Sequence, residues 1–300
     1  MTTIKTQNFG IEIELTGITR EQAAAQIADY FGTEYHFIGQ GCYNIWGATD
    51  RKGRTWKCER DASICCEDRY HHAAGDTYSC EVVSPILQYD DLEDLQNIVR
   101  KLRDAGALAN ESCGIHVHID GANHTADSLI RLVNLVVGRQ DLFCEALQNE
   151  SRCNRWCQKT SREMMVAMKK GEHTKANIER IYYSELNNGY RGGINHQHYC
   201  PARYRGLNLH ALYTKGTVEF RLFNGTTHAG KIKAYIQFCL AMSAWAINST
   251  KDPYFKSTSS YTKEQKLTIM EGFLTKRLGL SGAEFKTART HLTAAFREAC

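Results

Sequence analysis

The chain has 300 residues, of which 42% are hydrophobic and 23% charged, with only 3 prolines. This is ordinary globular composition and excludes a disordered or linker-rich protein. The formal net charge of +4 suits an anionic small molecule and is too weak, and too evenly spread, to point to nucleic acid. No run of about 18 apolar residues argues for a membrane span. The polar start from Met1 to Asn8 shows no signal peptide, so a cytoplasmic setting is expected. In that setting the 12 cysteines are expected as reduced thiols rather than a disulfide framework.

In chain order, Phe9 to Leu15 alternates strictly, with Phe9, Ile11, Ile13 and Leu15 on one face and Gly10, Glu12 and Glu14 on the other, as in a half-buried strand. Thr19 opens a helix with Gln22 completing a capping box, and Gly32 stops it. Asp50 to Gly53 is a turn between two strands, the second running from about Thr55 to Ile64. Tyr78 to Leu87 reads as a strand that ends near Pro85, and Asp91 to Ala105 as a helix closed by Gly106. Gly114 to Asp120 alternates again, with Ile115, Val117 and Ile119 against His116, His118 and Asp120. A long helix is expected from about Ala126 to Leu147.

The polar stretch from Glu150 to Pro201 is expected to hold one or two short helices and a loop around Gly189 to Gly193, forming an insertion or lid. Arg203 to Leu209 and Thr217 to Phe223 read as a hairpin around Lys215-Gly216. His228 to Asn248 is an apolar helix. Two more follow, about Thr262 to Leu278 and Ser281 to Ala299, the latter opened by a Ser281-x-x-Glu284 capping box. The whole is expected to be α+β with a largely antiparallel sheet, organised as one catalytic domain over 1–300 with C-terminal helices over 228–300.

Three strands share one design. Each has an unbroken apolar face and carries ionisable groups two residues apart on the other face: Glu12 with Glu14, His116 with His118, and Glu219 with Arg221. Further strands offer Asp61 and Glu81. A solvated sheet face would carry a mixture of Thr, Ser, Lys and Gln. Acids converging on one surface instead call for cations, and hard divalent ions take carboxylate oxygens readily. Two cysteine–histidine groups have zinc-capable composition: Cys153, Cys157, His196, His198 and Cys200, and Cys58, Cys65, Cys66, His71, His72 and Cys80. Neither has the spacing of a standard finger.

Six motifs in order carry a resemblance: FGIEIEL at 9–15, Asp61-x-Ser63, EVVSP at 81–85, CGIHVHI at 113–119, RYRGLN at 203–208 and TVEFR at 217–221. Together they resemble the amidoligase family, from residue 8 to about 245. That family groups with the carboxylate–amine ligases of the glutamine synthetase and glutamate–cysteine ligase fold. The resemblance implies a cup-shaped antiparallel sheet with helices packed on its apolar face, ATP and Mg²⁺ (or Mn²⁺) as cofactors, and amide formation through an acyl phosphate. It implies small-molecule or peptide carboxylate and amine substrates. Glu12, with His116 or His118 and Glu219, resembles the ligand set of the metal that bridges nucleotide phosphates. Glu14 and Glu81, with Asp61, resemble the ligands of a second metal. Arg221 resembles the arginine at the transferring phosphoryl group, beside Glu219. Arg203 and Arg205 resemble nucleotide-phosphate contacts, and Asn208 a substrate contact.

Local alternatives stand beside these roles. Arg221 can pair with Glu219 as a structural ion pair, one histidine can serve as support, Arg203 and Arg205 can be surface charge, and Asp61-Ala-Ser63 can be a capped turn. The competing functions are a dinuclear metal-dependent hydrolase, which leaves the arginines without a task, and a non-catalytic binding protein on the same scaffold.

Overall fold

A computed structural model describes residues 1–39, 41, 43–184, 193–253 and 257–297. The fold is α+β, built on an open eight-stranded antiparallel sheet. The strands are β1 (Phe9–Leu15), β2 (Tyr35–Gly39), β3 (Ile45–Thr49), β4 (Thr55–Glu59), β5 (Cys80–Val83), β6 (Gly114–Asp120), β7 (Leu207–Asn208) and β8 (Thr217–Asn224). Hydrogen-bonded neighbours run β2-β3-β4-β5-β1-β6-β8-β7.

The chain divides into two compact units. One comprises Asn8–Val117 and Phe223–Ile236; the other comprises Met1–Gln7, His118–Leu222 and Gln237–Cys300. The first, the Asn8–Val117 unit, holds β1 to β5, with α1 (Arg20–Phe31) and α2 (Leu92–Asp104). Phe9, Ile11, Ile13 and Leu15 of β1 are each no more than 2% exposed, so the period-two apolar face is the one buried. Helix α1 packs on β3, β4 and α2. Its capping box forms as expected: Thr19 accepts from the Gln22 N–H while the Gln22 side chain accepts from the Thr19 N–H, and Gly32 ends the helix in the left-handed region at φ 68°.

In the second unit, α3 (Ala126–Val137), α4 (Gln140–Leu147), α5 (Glu150–Cys153), α6 (Arg162–Lys170), α7 (Lys175–Ser184) and α8 (His210–Thr214) precede β8. Three further helices follow it: α9 (Ala229–Asn248), whose first turns belong to the other unit, α10 (Lys263–Gly272) and α11 (Lys286–Arg297). Thr125 and Ser161 cap α3 and α6 by accepting from the Ser128 and Met164 N–H groups.

Several expected boundaries are corrected. The strand expected over Thr55 to Ile64 ends at Glu59, because Asp61 Oδ1 accepts the Ser63 N–H at 2.6 Å and turns the chain. The strand expected over Tyr78 to Leu87 is only Cys80–Val83; Asp76–Tyr78 is a short 3₁₀ turn, and Ser84 Oγ donates to the Pro85 carbonyl. The long helix over Ala126 to Leu147 is two helices, broken where Arg139 leaves helical geometry at φ −130°, ψ 6°. Among the described residues the stretch from Glu150 to Pro201 holds three helices, more than expected, while residues 189–192 of its expected loop lie outside them. Arg203 to Leu209 is not a hairpin arm: Pro201–Tyr204 is 3₁₀, and only Leu207–Asn208 pairs with β8. The Ser281-x-x-Glu284 box does not form, since the turn there begins at Gly282 without a side-chain cap.

Candidate active site

In the Asn8–Val117 unit the acids meet in register. Glu14 on β1 lies directly opposite Glu81 on β5, and Glu81 lies directly opposite Glu59 on β4. Three like charges in one row repel strongly, and this row is withdrawn from water, with Glu14 3% and Glu81 8% exposed. Burial first, then the charges of Glu12, Glu14, Asp61 and Glu59, push the Glu81 carboxyl well above the ordinary carboxylate range.

The surrounding chain fixes these groups. Glu14 Oε2 accepts the backbone N–H of Gly114 at 2.5 Å. The Asp61 turn is tied to β5 through Ser79, whose Oγ accepts the Asp61 N–H at 3.0 Å and donates to its carbonyl at 2.6 Å. Buried Arg20 braces the other side, donating to the Ser79 and Asp76 carbonyls, each at 2.7 Å. On β6, His116 Nδ1 sits 2.9 Å from Glu12 Oε2, and its Nε2 sits 3.5 Å from Glu14 Oε1.

Two groups in this unit have the composition and spacing of a cation site. One donor atom from each of Glu14, Asp61 and Glu81 lies within 4.8 Å of the others, as does one from each of Glu12, Glu81 and His116. The donors are mostly carboxylate oxygens, the hard set that Mg²⁺ and Mn²⁺ prefer. His116 sets one ring nitrogen beside Glu12 and the other beside Glu14, and an imidazole nitrogen is a common metal ligand. The residues therefore fit a divalent ion. Glu59, which is in neither group but lies in register beside Glu81, is the neighbouring acid that sequence reasoning did not connect to the site. Its place on the polar side of β4 was legible, but the register that aligns it with Glu81 was not.

The second unit gathers the remaining candidates around β8. Glu219 and Arg221 are 3% and 5% exposed, and Arg221 Nη1 donates to Glu219 Oε1 at 2.5 Å. The pair allowed for on sequence grounds is thus present and buried. Arg221 Nε also reaches the Trp156 carbonyl at 3.4 Å. Asn208 stands opposite Glu219 in the β7–β8 register. Its Nδ2 donates to Glu219 Oε2 at 2.7 Å, while its Oδ1 accepts the His210 N–H at 2.8 Å and the Tyr182 hydroxyl at 3.2 Å. Asn208 therefore positions Glu219 in this structure, and Tyr182 is a support that no sequence motif announced.

The two family arginines differ. Arg205 is 1% exposed, with its guanidinium carbon 5.3 Å from the centre of the Tyr182 ring, a cation–π placement. Surface charge is therefore the wrong description for it. Arg203 is half-buried and donates to the His198 carbonyl at 3.0 Å. His118 Nδ1 lies 2.9 Å from Thr217 Oγ1.

Neither cysteine–histidine group of zinc-capable composition assembles among the described residues, where every three-residue metal-capable cluster is made of Glu, Asp and His alone. His196 is held by Glu179 at 2.6 Å, and His71 and His72 by Glu67 and Asp68. Cys153 and Cys157 do lie side by side, 3.7 Å apart.

The antiparallel sheet and its helices define an α+β protein; acids and a histidine cluster in the Asn8–Val117 unit, and in the other unit Arg205 and Arg221 are buried. Residues 5–243 match the family model described as "Putative amidoligase enzyme". The match spans most of the chain, which belongs to this amidoligase family. No curated protein matches the sequence. Among the described residues no helix is long and apolar enough to cross a membrane.

Proposed function

We propose that the protein is an ATP-dependent carboxylate–amine ligase that works through an acyl phosphate on an amino acid or peptide. The observation that carries this reading is Glu81, buried and in register between Glu14 and Glu59, an arrangement that calls for a divalent cation. Glu14, Asp61 and Glu81 would hold one Mg²⁺ or Mn²⁺, and Glu12, Glu81 and His116 offer a second set sharing Glu81. When bound, such ions neutralise phosphate charge and lower the repulsion between a triphosphate and a carboxylate.

The chain's own residues supply the rest. Arg221 is held by Glu219 Oε1 and the Trp156 carbonyl, so its planar guanidinium keeps one orientation, as gripping a transferring phosphoryl group requires. Arg205, buried against Tyr182, adds fixed positive charge for nucleotide phosphate, and Arg203 adds a more exposed one. In the proposed reaction a substrate carboxylate oxygen attacks the terminal phosphorus of ATP and ADP leaves. An amine nitrogen then attacks the acyl carbon, phosphate leaves, and the nitrogen loses a proton.

The test has two stages. Calorimetry with a non-hydrolysable ATP analogue should show binding that depends on Mg²⁺; no binding with or without the ion removes the reading. Pooled amino acids and short peptides, incubated with ATP, Mg²⁺ and hydroxylamine, should then yield hydroxamate only when ATP is present. Turnover of the same substrate at equal rate without ATP would instead make the protein a metal-dependent hydrolase.

A further inference from the structure

Behind β8 in the second unit, three thiols form a short row. Cys144, on the buried face of α4, has its Sγ 3.0 Å from Cys153 Sγ at the end of α5, and Cys153 Sγ is 3.7 Å from Cys157 Sγ. Cys144 and Cys157 are 4% and 1% exposed, whereas Cys153 is half-buried, so the middle residue is the one of the three most open to solvent. A cavity of about 10 Å³ is lined by Cys144, Cys157, Gln158 and Leu222, giving the neighbouring sulfurs room to shift. By composition two of these cysteines belong to a group that could have held zinc; the geometry gives them a different chemistry.

We propose that Cys144, Cys153 and Cys157 form a peroxide-sensitive thiol relay in which Cys153 is the attacking sulfur and Cys144 the resolving one. The Cys153 thiolate attacks one oxygen of a hydroperoxide. The O–O bond breaks, and the departing hydroxide or alkoxide takes up a proton, leaving Cys153 as a sulfenic acid. Cys144 sulfur then attacks Cys153 sulfur: the S–S bond forms, the S–O bond breaks, and hydroxide leaves with the Cys144 proton as water. Two electrons pass from the sulfurs to the peroxide. Cys157 can next attack Cys153 sulfur and release the Cys144 thiol, which moves the disulfide along the row without further oxidation.

The surroundings favour this order. Hydrogen bonds from Cys144 and Cys157, together with the charges of Lys159 and Arg152, hold the Cys153 thiol well below its ordinary range, while the same contacts and burial raise Cys144 and Cys157. In its thiol form Cys153 donates to Asn149 Oδ1 at 3.4 Å.

The row is coupled to β8 by short links. Trp156, next to Cys157, supplies the carbonyl that holds Arg221 Nε, and Asn149 Nδ2 donates to the Leu222 carbonyl. Closing either disulfide shifts these supports. An effect on ligation rests on the function proposed above, but the relay itself does not, so the experiment reads the thiols and Trp156 instead of activity.

The reduced full chain is treated with hydrogen peroxide, quenched with iodoacetamide at intervals, and digested. The first product expected is a Cys144–Cys153 linked peptide with loss of two hydrogens, reversed by dithiothreitol. It should form ahead of any oxidation at exposed Cys65. In the reduced chain Cys153 should alkylate before Cys144 and Cys157, which are enclosed. Trp156 fluorescence should change with the same time course, because Arg155 and Tyr204 pack on its ring. Cys153→Ser should lose both the linked peptide and the fluorescence change. Cys153 still alkylated after Cys65 has been oxidised overturns the proposal, and so does a Cys153→Ser chain that loses two hydrogens at the original rate. If that variant does not fold, the peptide map of the unaltered chain decides alone.

Discussion

At the scale of single residues, the acids of β1 and β5 set like charges side by side, whereas the acid of β8 is paired. Glu81 faces Glu14 and Glu59 in register and is buried, so without a cation it repels both neighbours. Glu81→Gln should therefore stabilise the metal-free protein by about 1 kcal/mol and shrink the rise in Tm that Mg²⁺ produces. Thermal melts with and without Mg²⁺ check this; a less stable variant with an unchanged Mg²⁺ response would count against the cation site. Glu219 behaves oppositely. Both its oxygens are occupied, one by Arg221 and the other by Asn208. Glu219→Gln puts an amide NH₂ against one of these donors and leaves the Arg221 charge without its counter-ion. A loss of about 3–5 kcal/mol follows, read as a lower denaturant midpoint at unchanged m. A stability within 1 kcal/mol of the parent, roughly the noise of such series, would show that the pair is not what holds Arg221.

At the scale of elements, what the sequence made legible follows from period and caps. The 9–15 and 114–120 strands show two-residue alternation, and the Thr19–Gln22 box is spelled out in adjacent residues, so all three were readable. Strand β2 was missed because its residues are exposed or half-buried throughout, which leaves no apolar–polar alternation. The break between α3 and α4 was missed because apolar residues continue on both sides of Gly138–Arg139. Site residues with period-two spacing were found; Glu59 and Tyr182 were not, since register and tertiary contact have no local signature. One element contact carries its own prediction. Asp91 at the start of α2 accepts from Lys52 at 2.6 Å and from Arg54 at 2.9 and 3.0 Å, and so ties the β3–β4 turn to the helix. Burial alone would raise the Asp91 carboxyl, but the Arg54, Lys52 and Gln88 hydrogen bonds outweigh it and hold the group well below the usual carboxylate range. Its contribution is complete above the unfolded value of about 4 and is lost as pH falls below that toward the folded one. Asp91→Ala should cost about 2–4 kcal/mol at neutral pH, since it strands partners of a buried carboxylate. The difference between variant and parent should narrow as the medium is acidified below about pH 4; a difference that stays constant with pH would refute the ion-pair account.

At the scale of the whole molecule, the same chain invests polar groups in its interior in two ways, and pH separates them. The acids of the Asn8–Val117 unit meet side by side, forming the cation site proposed above. In the other unit, two histidines are buried for packing and hydrogen bonding. His124 lies between Ser128 and Ser243, at 3.0 and 2.9 Å, and Ser243 in turn donates to Gln7 at 2.6 Å. His210 Nδ1 lies 2.7 Å from the Tyr183 hydroxyl. Burial, aided for His124 by Lys175 and Arg131 and for His210 by Arg203 and His196, lowers both to about 4. The unfolded chain therefore takes up these protons first, near pH 6.5. Stability from the neutral rings is complete above that pH and declines as pH falls from about 6.5 toward about 4, where the folded form protonates too. For His124, the more deeply enclosed of the two, the loss by pH 5 should be about 2 kcal/mol, with His210 adding a smaller loss of the same sign. Denaturant unfolding at a series of pH values, for the parent and for His124→Gln, measures it. The parent should lose stability through this window, and the variant, whose amide does not titrate, should lose less by roughly the His124 share. Parallel curves for the two proteins would mean that His124 is protonated as readily in the folded chain as in the unfolded one.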